Sequence, residues 1–266
     1  RKERYGKLTT VKALYDFLEE KIPRSLSSEW DNDGLMVCPD ENAEVKKILF
    51  ALDATDNVIN FAKENSFDTI ITHHPLIFSP LRSVNGENAV SRRAISLIKS
   101  GISVMSFHTR LDSVDGGVND TLIKLLGIEN AVPFGPENEK MGRIGHLPEK
   151  MTAKEFCTLV KNKLSAPYVD FAGEDRPIYN VAVLGGGGKD FIPYAKSAGA
   201  DAFLTGEASY NALLDSAAAG LVTITAGHYY TEAPVLQTLK TMVESSGFDG
   251  IYTEEYAGKP EIFTVK

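Results

Sequence analysis

Cysteine is scarce in this sequence, in which Cys38 and Cys157 are the only two and no CxxC pair occurs. Disulfide frameworks and thiolate zinc sites both need several cysteines at short spacings. The sequence therefore argues against both, and any metal ion would have to be held by nitrogen and oxygen ligands.

Long apolar runs and an excess of positive charge are missing as well. No stretch approaches the ~18 to 20 apolar residues of a membrane span, and residues 1–21 lack the apolar core of a signal peptide. We therefore expect a cytoplasmic protein with no membrane partner. The formal net charge of -8 argues against sequence-independent nucleic-acid binding, which needs clustered lysine and arginine to displace counterions.

What is present is a globular composition, with 43% hydrophobic residues among 266. At this length one large domain or two moderate domains can bury a substantial core. Predicted strands and helices alternate along the chain, which favours an α/β fold with a largely parallel sheet covered by helices. The predicted strands cover 48–52, 70–72 and 102–107, and the predicted helices cover 11–22, 58–63, 94–99 and 152–164.

The second half of the sequence repeats the first. FAKENSFDTIITHH aligns without a gap with YAKSAGADAFLTGE, and in the same alignment VKKILFALDAT meets IYNVAVLGGGG. A third match also follows in order, with its alignment shifted by one residue. The three matches together predict an internal duplication of one strand-helix-strand unit. The aligned pairs are 45–55 with 178–188, 61–74 with 194–207, and 101–108 with 220–228.

The segment 129–150 interrupts this alternation with three prolines and three glycines, so we predict a domain boundary or a crossover there. The expected first α/β domain comprises residues 1–128 plus 229–266, and the expected second domain comprises residues 129–228. If the two copies face each other, polar residues from both would converge on one cleft.

Four of the five histidines follow directly after predicted strands: His73, His74, His108 and His228. In open α/β sheets, ligands bind at the carboxyl ends of the strands, so this placement indicates a site. The alternative for each is an ordinary hydrogen bond to a neighbouring group. We expect the fifth, His146, to be a solvated loop residue.

A carboxylate follows two of these histidines by four residues, Asp112 after His108 and Glu232 after His228. Residues four apart share one face of a helical turn, so each pair could reach one metal ion. Alternatively, His108 could simply hydrogen-bond Asp112, and Glu232 could be an ordinary acid in a first helical turn. Imidazole and carboxylate suit Zn, Mn, Fe, Co or Ni better than Mg or Ca, which prefer oxygen ligands alone.

The adjacent His73 and His74 would point to opposite faces of an extended strand, so one ion rarely takes both. If the chain turns at Pro75, they could serve two ions roughly 3.5 to 4 Å apart, as in two-metal hydrolytic sites. Such a pair of ions needs a bridging carboxylate, for which Glu232 is the candidate.

Two further segments stand out. VLGGGGKD at 183–190 follows a strand and precedes a helix, which suits phosphate binding, although it matches neither a Walker motif nor GxGxxG. Its weak phosphate candidates are Gly186, Gly187, Gly188 and Lys189, and the alternative is a tight strand-to-helix crossing that excludes side chains. SSEWDNDGLMV contains the sole tryptophan and predicts a structured loop near the pocket.

The motifs WDNDGL, ITHHPLIF, HTRLDSVDGGVN, GADAFLTGE and AGHYYTE occur in this order. With them the chain resembles, over nearly its whole length, the NGG-interacting-factor-three-like family, whose members are also named GTP cyclohydrolase I type 2 homologues. The resemblance implies two related α/β domains, a ring-shaped homohexamer and a dinuclear metal centre between the domains.

Carried over by position, the resemblance implies a bridging role for Glu232 and an auxiliary role for His108 beside the centre. Some members have a histidine shortly after TGE or TGD, where this chain has residues 208–211 (ASYN). Some members also have a long insert between the halves that this chain does not have. The matching metal ligands are His73, His74, Asp112, His228 and Glu232.

The implied function is that of a dinuclear-metal-dependent hydrolase of the GTP cyclohydrolase I type 2 kind. A metal-bridging hydroxide would attack C8 of the guanine ring and release formate. Two other functions stay open: a two-metal phosphoesterase or amidohydrolase, and a metal-binding hexameric regulatory protein without GTP turnover.

Overall fold

The computed structural model describes residues 9–256. The strands in this range are β1 (Gly34–Val37), β2 (Lys47–Ala51), β3 (Thr69–Thr72), β4 (Ser103–Ser106), β5 (Glu129–Phe134), β6 (Gly142–Thr152), β7 (Asp170–Ala172), β8 (Pro177–Gly187), β9 (Ala202–Glu207), β10 (Val222–Thr225) and β11 (Tyr252–Glu255). The α-helices are α1 (Val11–Lys21), α2 (Asp56–Glu64), α3 (Ala89–Ser100), α4 (Thr109–Ser113), α5 (Val118–Leu126), α6 (Ala153–Leu164), α7 (Ile192–Ser197), α8 (Tyr210–Ala218), α9 (His228–Glu232) and α10 (Val235–Glu244).

The chain divides into two compact α/β units, each with a sheet of its own. The described part of the first unit comprises residues 9–111 and 236–256, and the second unit comprises residues 112–235. The α/β class predicted from the sequence is therefore confirmed. The domain boundaries that we expect from the repeat, after residues 128 and 228, remain a proposal.

The sheet of the first unit has the order β1-β4-β3-β2-β11, in which all neighbours are parallel except the pair β1 and β4. All residues of β3 and β4 are buried, as expected for parallel strands covered on both faces. Helices α2 and α3 contribute Val58, Ala62 and Leu97 to the core beside this sheet. The Thr55 hydroxyl caps α2 by accepting a hydrogen bond from the Val58 amide at 3.3 Å.

The sheet of the second unit has the order β5-β6-β8-β9-β10-β7, with β8, β9 and β10 parallel and the other pairs antiparallel. Helix α6 begins at a capping box formed by Thr152 and Glu155, at the start of the helix predicted over 152–164. Its apolar residues Phe156 and Val160 are completely buried in the core of this unit. A capped, amphipathic sequence thus fixes both the start of α6 and the face that it buries.

The pairing of strands confirms the duplication. In the first unit Ile48 pairs with Thr69 across β2 and β3, and in the second Val181 pairs with Ala202 across β8 and β9. These are the residues that the sequence alignment makes equivalent, so both copies use the same parallel register. In each unit the third parallel strand, β4 or β10, pairs on its outer side with one antiparallel strand.

The segment 129–150 forms most of the antiparallel pair β5 and β6 within the second unit. An edge strand tolerates Pro133, whose missing amide would interrupt a central strand. A Cβ on Gly142 would lie 2.3 Å from the ring of Phe134, so this glycine makes room for packing rather than for a turn. His146 accordingly lies in β6 and not in a loop, with its ring stacked on Tyr179.

None of the helices formed by residues 9–256 combines the length and the apolar character that a membrane crossing requires.

Candidate metal centre

Three histidines come together at the carboxyl ends of the parallel strands of the first unit. His73 and His74 follow β3, and His108 follows β4. Each offers a ring nitrogen, and these three nitrogens lie within 4.8 Å of one another. The rings of His73 and His74 are only 4.9 Å apart between centroids, because the extended strand ends at Thr72 and the two side chains no longer point to opposite faces. The group could hold a metal ion.

Each imidazole in this group has its Nδ1 atom against an oxygen. The Nδ1 atom of His73 lies 2.9 Å from the carbonyl oxygen of Phe107, that of His74 lies 2.8 Å from Asp53, and that of His108 lies 2.9 Å from Asp31. A carbonyl or a carboxylate oxygen only accepts, so Nδ1 must donate in each pair. A neutral ring then has its lone pair at Nε2, which is the tautomer that a metal ligand needs.

Asp31 is held by more than His108. Its side chain also accepts hydrogen bonds from the Thr109 amide at 3.0 Å and the Thr109 hydroxyl at 2.6 Å. Burial raises the pKa of Asp31, but the hydrogen bonds from His108 and Thr109 outweigh burial and bring that pKa to about 2. The carboxylate is therefore ionised at neutral pH, which fixes the direction of the His108 hydrogen bond.

A buried ion network supports the same turn. The Asp33 carboxylate accepts hydrogen bonds from the His108 amide at 3.2 Å and from Nε of Arg110 at 2.9 Å. The Arg110 side chain is fully buried and also donates to Glu19 at 2.6 Å and to the Ile22 carbonyl at 3.0 Å. The charge of one guanidinium thus holds together α1, the loop before β1 and the turn that contains His108.

The second unit presents an imidazole and a carboxylate at the ends of its parallel strands. On α9, Nε2 of His228 lies 3.1 Å from the Glu232 carboxylate, in the i, i+4 relation that the sequence predicts. Nδ1 of His228 lies 3.1 Å from Glu207, the last residue of β9. The Glu232 side chain is buried, so its negative charge needs a positive partner.

The glycine run at the end of β8 packs against this pair. A Cβ on Gly186 would lie 2.1 Å from an oxygen of Glu232 and 3.2 Å from Nε2 of His228. Gly186 also has a positive φ of 67°, a conformation that favours glycine. Close approach of the backbone to α9 thus explains this glycine. A phosphate role for Gly186, Gly187, Gly188 and Lys189 stays a prediction.

Asp112 is a buried residue of α4. Its backbone carbonyl accepts a hydrogen bond from the Asn119 side chain at 3.1 Å, and the same side chain accepts one from the Gly185 amide at 2.9 Å. The buried amide of Asn119 therefore ties Asp112 to the glycine run in the second unit. Sequence reasoning offered a hydrogen bond between His108 and Asp112, whereas Nδ1 of His108 is held by Asp31.

The acids that orient the imidazoles are not among the predicted site residues. They are not at helical spacing from their histidines, so no local pattern connects them. Their place in the sequence could have indicated them. Each lies at the end of a strand or in the turn that contains the tryptophan. These acids are Asp31, Asp53 and Glu207.

Comparison with known proteins supports the resemblance seen in the motifs. A sequence profile of the family described as Duf34/NIF3 (NGG1p interacting factor 3) matches residues 9–254. A Clostridium acetobutylicum protein named GTP cyclohydrolase 1 type 2 homolog is 35% identical over 242 residues, which cover 89% of this chain and 90% of that protein. A protein of the same name from Clostridium perfringens is 37% identical over 228 residues, covering 84% and 87% of the two chains.

Solved structures show the same fold. A hypothetical protein from Staphylococcus aureus superposes with a TM-score of 0.89 at 27% identity, covering 98% of this chain and all (100%) of that one. Reduced HcgD from Methanocaldococcus jannaschii gives a TM-score of 0.81 at 29% identity, covering 95% and 99% of the two chains. The likeness therefore extends through both units.

Proposed function

Because the chain belongs to the Duf34/NIF3 family, we propose that it is a dinuclear-metal-dependent hydrolase, with a GTP cyclohydrolase I type 2 reaction as the first candidate. The observation that supports this most directly is the orientation of the imidazoles. His73, His74, His108 and His228 each direct Nδ1 at an oxygen acceptor. A ring whose Nδ1 donates to an oxygen has its lone pair at Nε2, the atom that would bind a metal ion, and in His228 that atom lies 3.1 Å from Glu232, another proposed ligand.

The proposed ligands are His73, His74, Asp112, His228 and Glu232, with His108 beside them. They supply three imidazoles and two carboxylates, a set that fits two first-row ions and needs no sulfur. The carboxylates would balance the charge of the ions, and the imidazoles would add neutral nitrogen ligands. When bound, two divalent ions would supply Lewis-acid chemistry that activates a water molecule and polarises the bond to be cleaved.

The residues of the chain have defined tasks in this proposal. Asp53 keeps His74 in the ligating tautomer, because its carboxylate can only accept the Nδ1 proton, and Glu207 would do the same for His228, whose Nε2 lies 3.1 Å from the Glu232 carboxylate. His108, held by the ionised Asp31, is placed to give or accept a proton beside the reacting group. These contacts would set the geometry before an ion or a substrate arrives.

Metal content tests the centre. We expect the purified protein to bind two equivalents of Zn or Mn per chain, and the variants His74→Ala and His228→Ala to bind one or none. His146→Ala is the matched control, since its ring stacks on Tyr179 and bonds Asn130. Elemental analysis after dialysis measures the ratio. Full occupancy in both site variants, or a loss in the control alone, would contradict the assignment.

Turnover tests the reaction. We expect GTP to yield formate at a rate that chelation abolishes and added Mn or Zn restores. Binding of two ions without turnover of GTP would favour a two-metal phosphoesterase or amidohydrolase, to be sought with a panel of phosphate esters and amides. Inactivity across that panel, together with metal-dependent stability, would favour a regulatory metal-binding protein.

We also propose that the protein assembles as a homohexamer, as the family resemblance implies. Light scattering coupled to size-exclusion chromatography would give a mass close to six times 29.0 kDa. A monomeric or dimeric mass at micromolar concentration would reject the ring.

A further inference from the structure

Two large aromatic side chains are exposed side by side in the first unit. Trp30 is 58% exposed and Phe78 is 51% exposed, and their ring centroids lie 6.2 Å apart. Scattered exposed apolar residues are normal in proteins, but here two aromatic rings in contact, with their planes tilted by 56°, form an exposed aromatic corner. Such a surface is characteristic of a binding site for a flat apolar group.

This aromatic pair lies next to the histidine group. The centroid of the His108 ring is 6.1 Å from that of Trp30 and 6.3 Å from that of Phe78, and both aromatic rings meet the imidazole edge to face. His108 is in turn 5.2 Å from His73 and 5.7 Å from His74 between centroids. A molecule stacked on Phe78 would therefore have one edge beside the imidazoles.

Polar contacts hold both aromatic residues in place through their neighbours in the chain. Asp31, directly after Trp30, is fixed by its hydrogen bonds to His108 and Thr109. Asn32, the next residue, donates a side-chain hydrogen bond to the carbonyl of Ile77, which directly precedes Phe78. The two loops are thus joined to each other and to the turn after β4, so the rings are organised before any ligand binds.

We propose that the purine ring of the nucleotide substrate stacks on Phe78, with Trp30, whose ring is tilted by 56° to that of Phe78, against the edge of the base, and that the five-membered part of the purine faces the imidazoles. This inference rests on the proposed function, because it assigns the substrate base of the same site. Any base has a flat π-face that stacks on aromatic side chains, and a purine is the base of the proposed substrate. Stacking places a ring atom beside the imidazoles, where a bond within the base could be opened.

The sole tryptophan of the sequence makes the test direct, because its fluorescence reports this position alone. We expect guanosine and GTP to quench Trp30 fluorescence in a saturable way in the metal-free protein, and inorganic triphosphate to leave it unchanged. Quenching by triphosphate alone, or an intensity that changes only with protein concentration, would overturn the inference in favour of phosphate binding elsewhere or of a contact between copies.

Variants separate stacking from folding. Phe78→Ala should weaken guanosine binding roughly 5- to 150-fold, the range that corresponds to the loss of one base-aromatic stack. Phe78→Tyr should keep the affinity, and Tyr168→Ala, at another exposed aromatic in the second unit, should leave it unchanged. Unaltered guanosine affinity in Phe78→Ala would refute the stack.

The experiments distinguish failure of the base-stacking proposal from failure of the proposed hydrolase function. If GTP is turned over and Phe78→Ala has an unchanged KM, the aromatic assignment is wrong while the hydrolase stands. If guanosine quenches Trp30 in the wild type and Phe78→Ala weakens it, but no GTP turnover occurs with any metal, the base-binding surface stands while the hydrolytic reaction is wrong.

Discussion

Replacing Arg110 by methionine should destabilise the first unit, because it leaves a buried carboxylate without its main positive partner. The Arg110 and Asp33 side chains are both completely buried, with 2.9 Å between Nε and Oδ2. Burial lowers the pKa of Arg110, but the hydrogen bond to Glu19 and the charges of Asp33 and Glu19 outweigh burial and raise it. The guanidinium is thus charged in the folded state, and its removal exposes the full cost of burying Asp33.

The magnitude follows from what remains after the substitution. Removing one partner of a buried ion pair costs about 3 to 5 kcal/mol. Asp33 keeps hydrogen bonds from the Ser27 hydroxyl at 3.1 Å and the His108 amide at 3.2 Å, so the loss should lie near the lower end of that range. Methionine retains an apolar stem over the Phe107 ring, which the guanidinium carbon of Arg110 covers at 4.6 Å. We therefore expect a loss of about 3 kcal/mol.

Urea unfolding followed by Trp30 fluorescence measures this loss, because the sole tryptophan lies in the same unit as Arg110. The midpoint should fall by roughly 1 to 3 M for ordinary urea slopes. Arg93→Met is the matched control: Arg93 pairs with Asp56, whose side chain is 60% exposed, and such surface pairs contribute about 0 to 1 kcal/mol. An effect of Arg110→Met no larger than that of Arg93→Met would refute the reasoning.

Two further predictions concern the second unit and the thiols. Gly186→Ala should lower metal affinity in a calorimetric titration, because its Cβ would displace the Glu232 carboxylate. The control Gly199→Ala, also at positive φ but with no atom within 4 Å of the added Cβ, should affect only stability. Equal metal affinity in both variants would contradict this prediction. Burial raises the pKa of Cys157 to about 11, so at pH 8 only about 0.1% is the reactive thiolate, a fraction that rises with pH. Iodoacetamide followed by peptide mass spectrometry should therefore modify the partly exposed Cys38 before the buried Cys157, and the reverse order would contradict the burial argument.

Local patterns in the sequence were sufficient to predict the largely parallel sheet of the first unit, whereas the sheet of the second unit is mixed, with three of its five strand pairs antiparallel. The uninterrupted apolar run Ile70–Ile71 specifies a strand covered on both faces, and the capping box at Thr152 and Glu155 specifies the start of α6. The duplication could be predicted because two copies of one fold preserve the buried positions of their strands in the same register. In 129–150, Pro133 lies in the edge strand β5 and Gly142 makes room in β6 for the ring of Phe134, so here proline and glycine serve sheet packing.

The orientation of the imidazoles could not be predicted, because it depends on partners that are distant in the sequence. His108 is fixed by Asp31, and His74 by Asp53, through pairings that exist only once β1, β2, β3 and β4 lie side by side. The i, i+4 rule found Glu232 beside His228, since a single helical turn suffices to bring them together. Local sequence patterns therefore predict which histidines and acids lie near the site. The hydrogen bonds that fix the tautomer of each ring form only when the strands pair into a sheet.

Equivalent positions at the strand ends have different roles in the two copies of the duplicated unit. In the first unit the end of β3 supplies the imidazole of His74, and Asp53 after β2 orients it. In the second unit the position equivalent to His74 is Glu207, which orients an imidazole, His228, that follows the next strand. If both acids act by fixing a tautomer, Asp53→Asn and Glu207→Gln should each weaken metal binding about 10- to 100-fold without removing a ligand. A full loss of one equivalent of metal in either variant would instead make that acid a ligand.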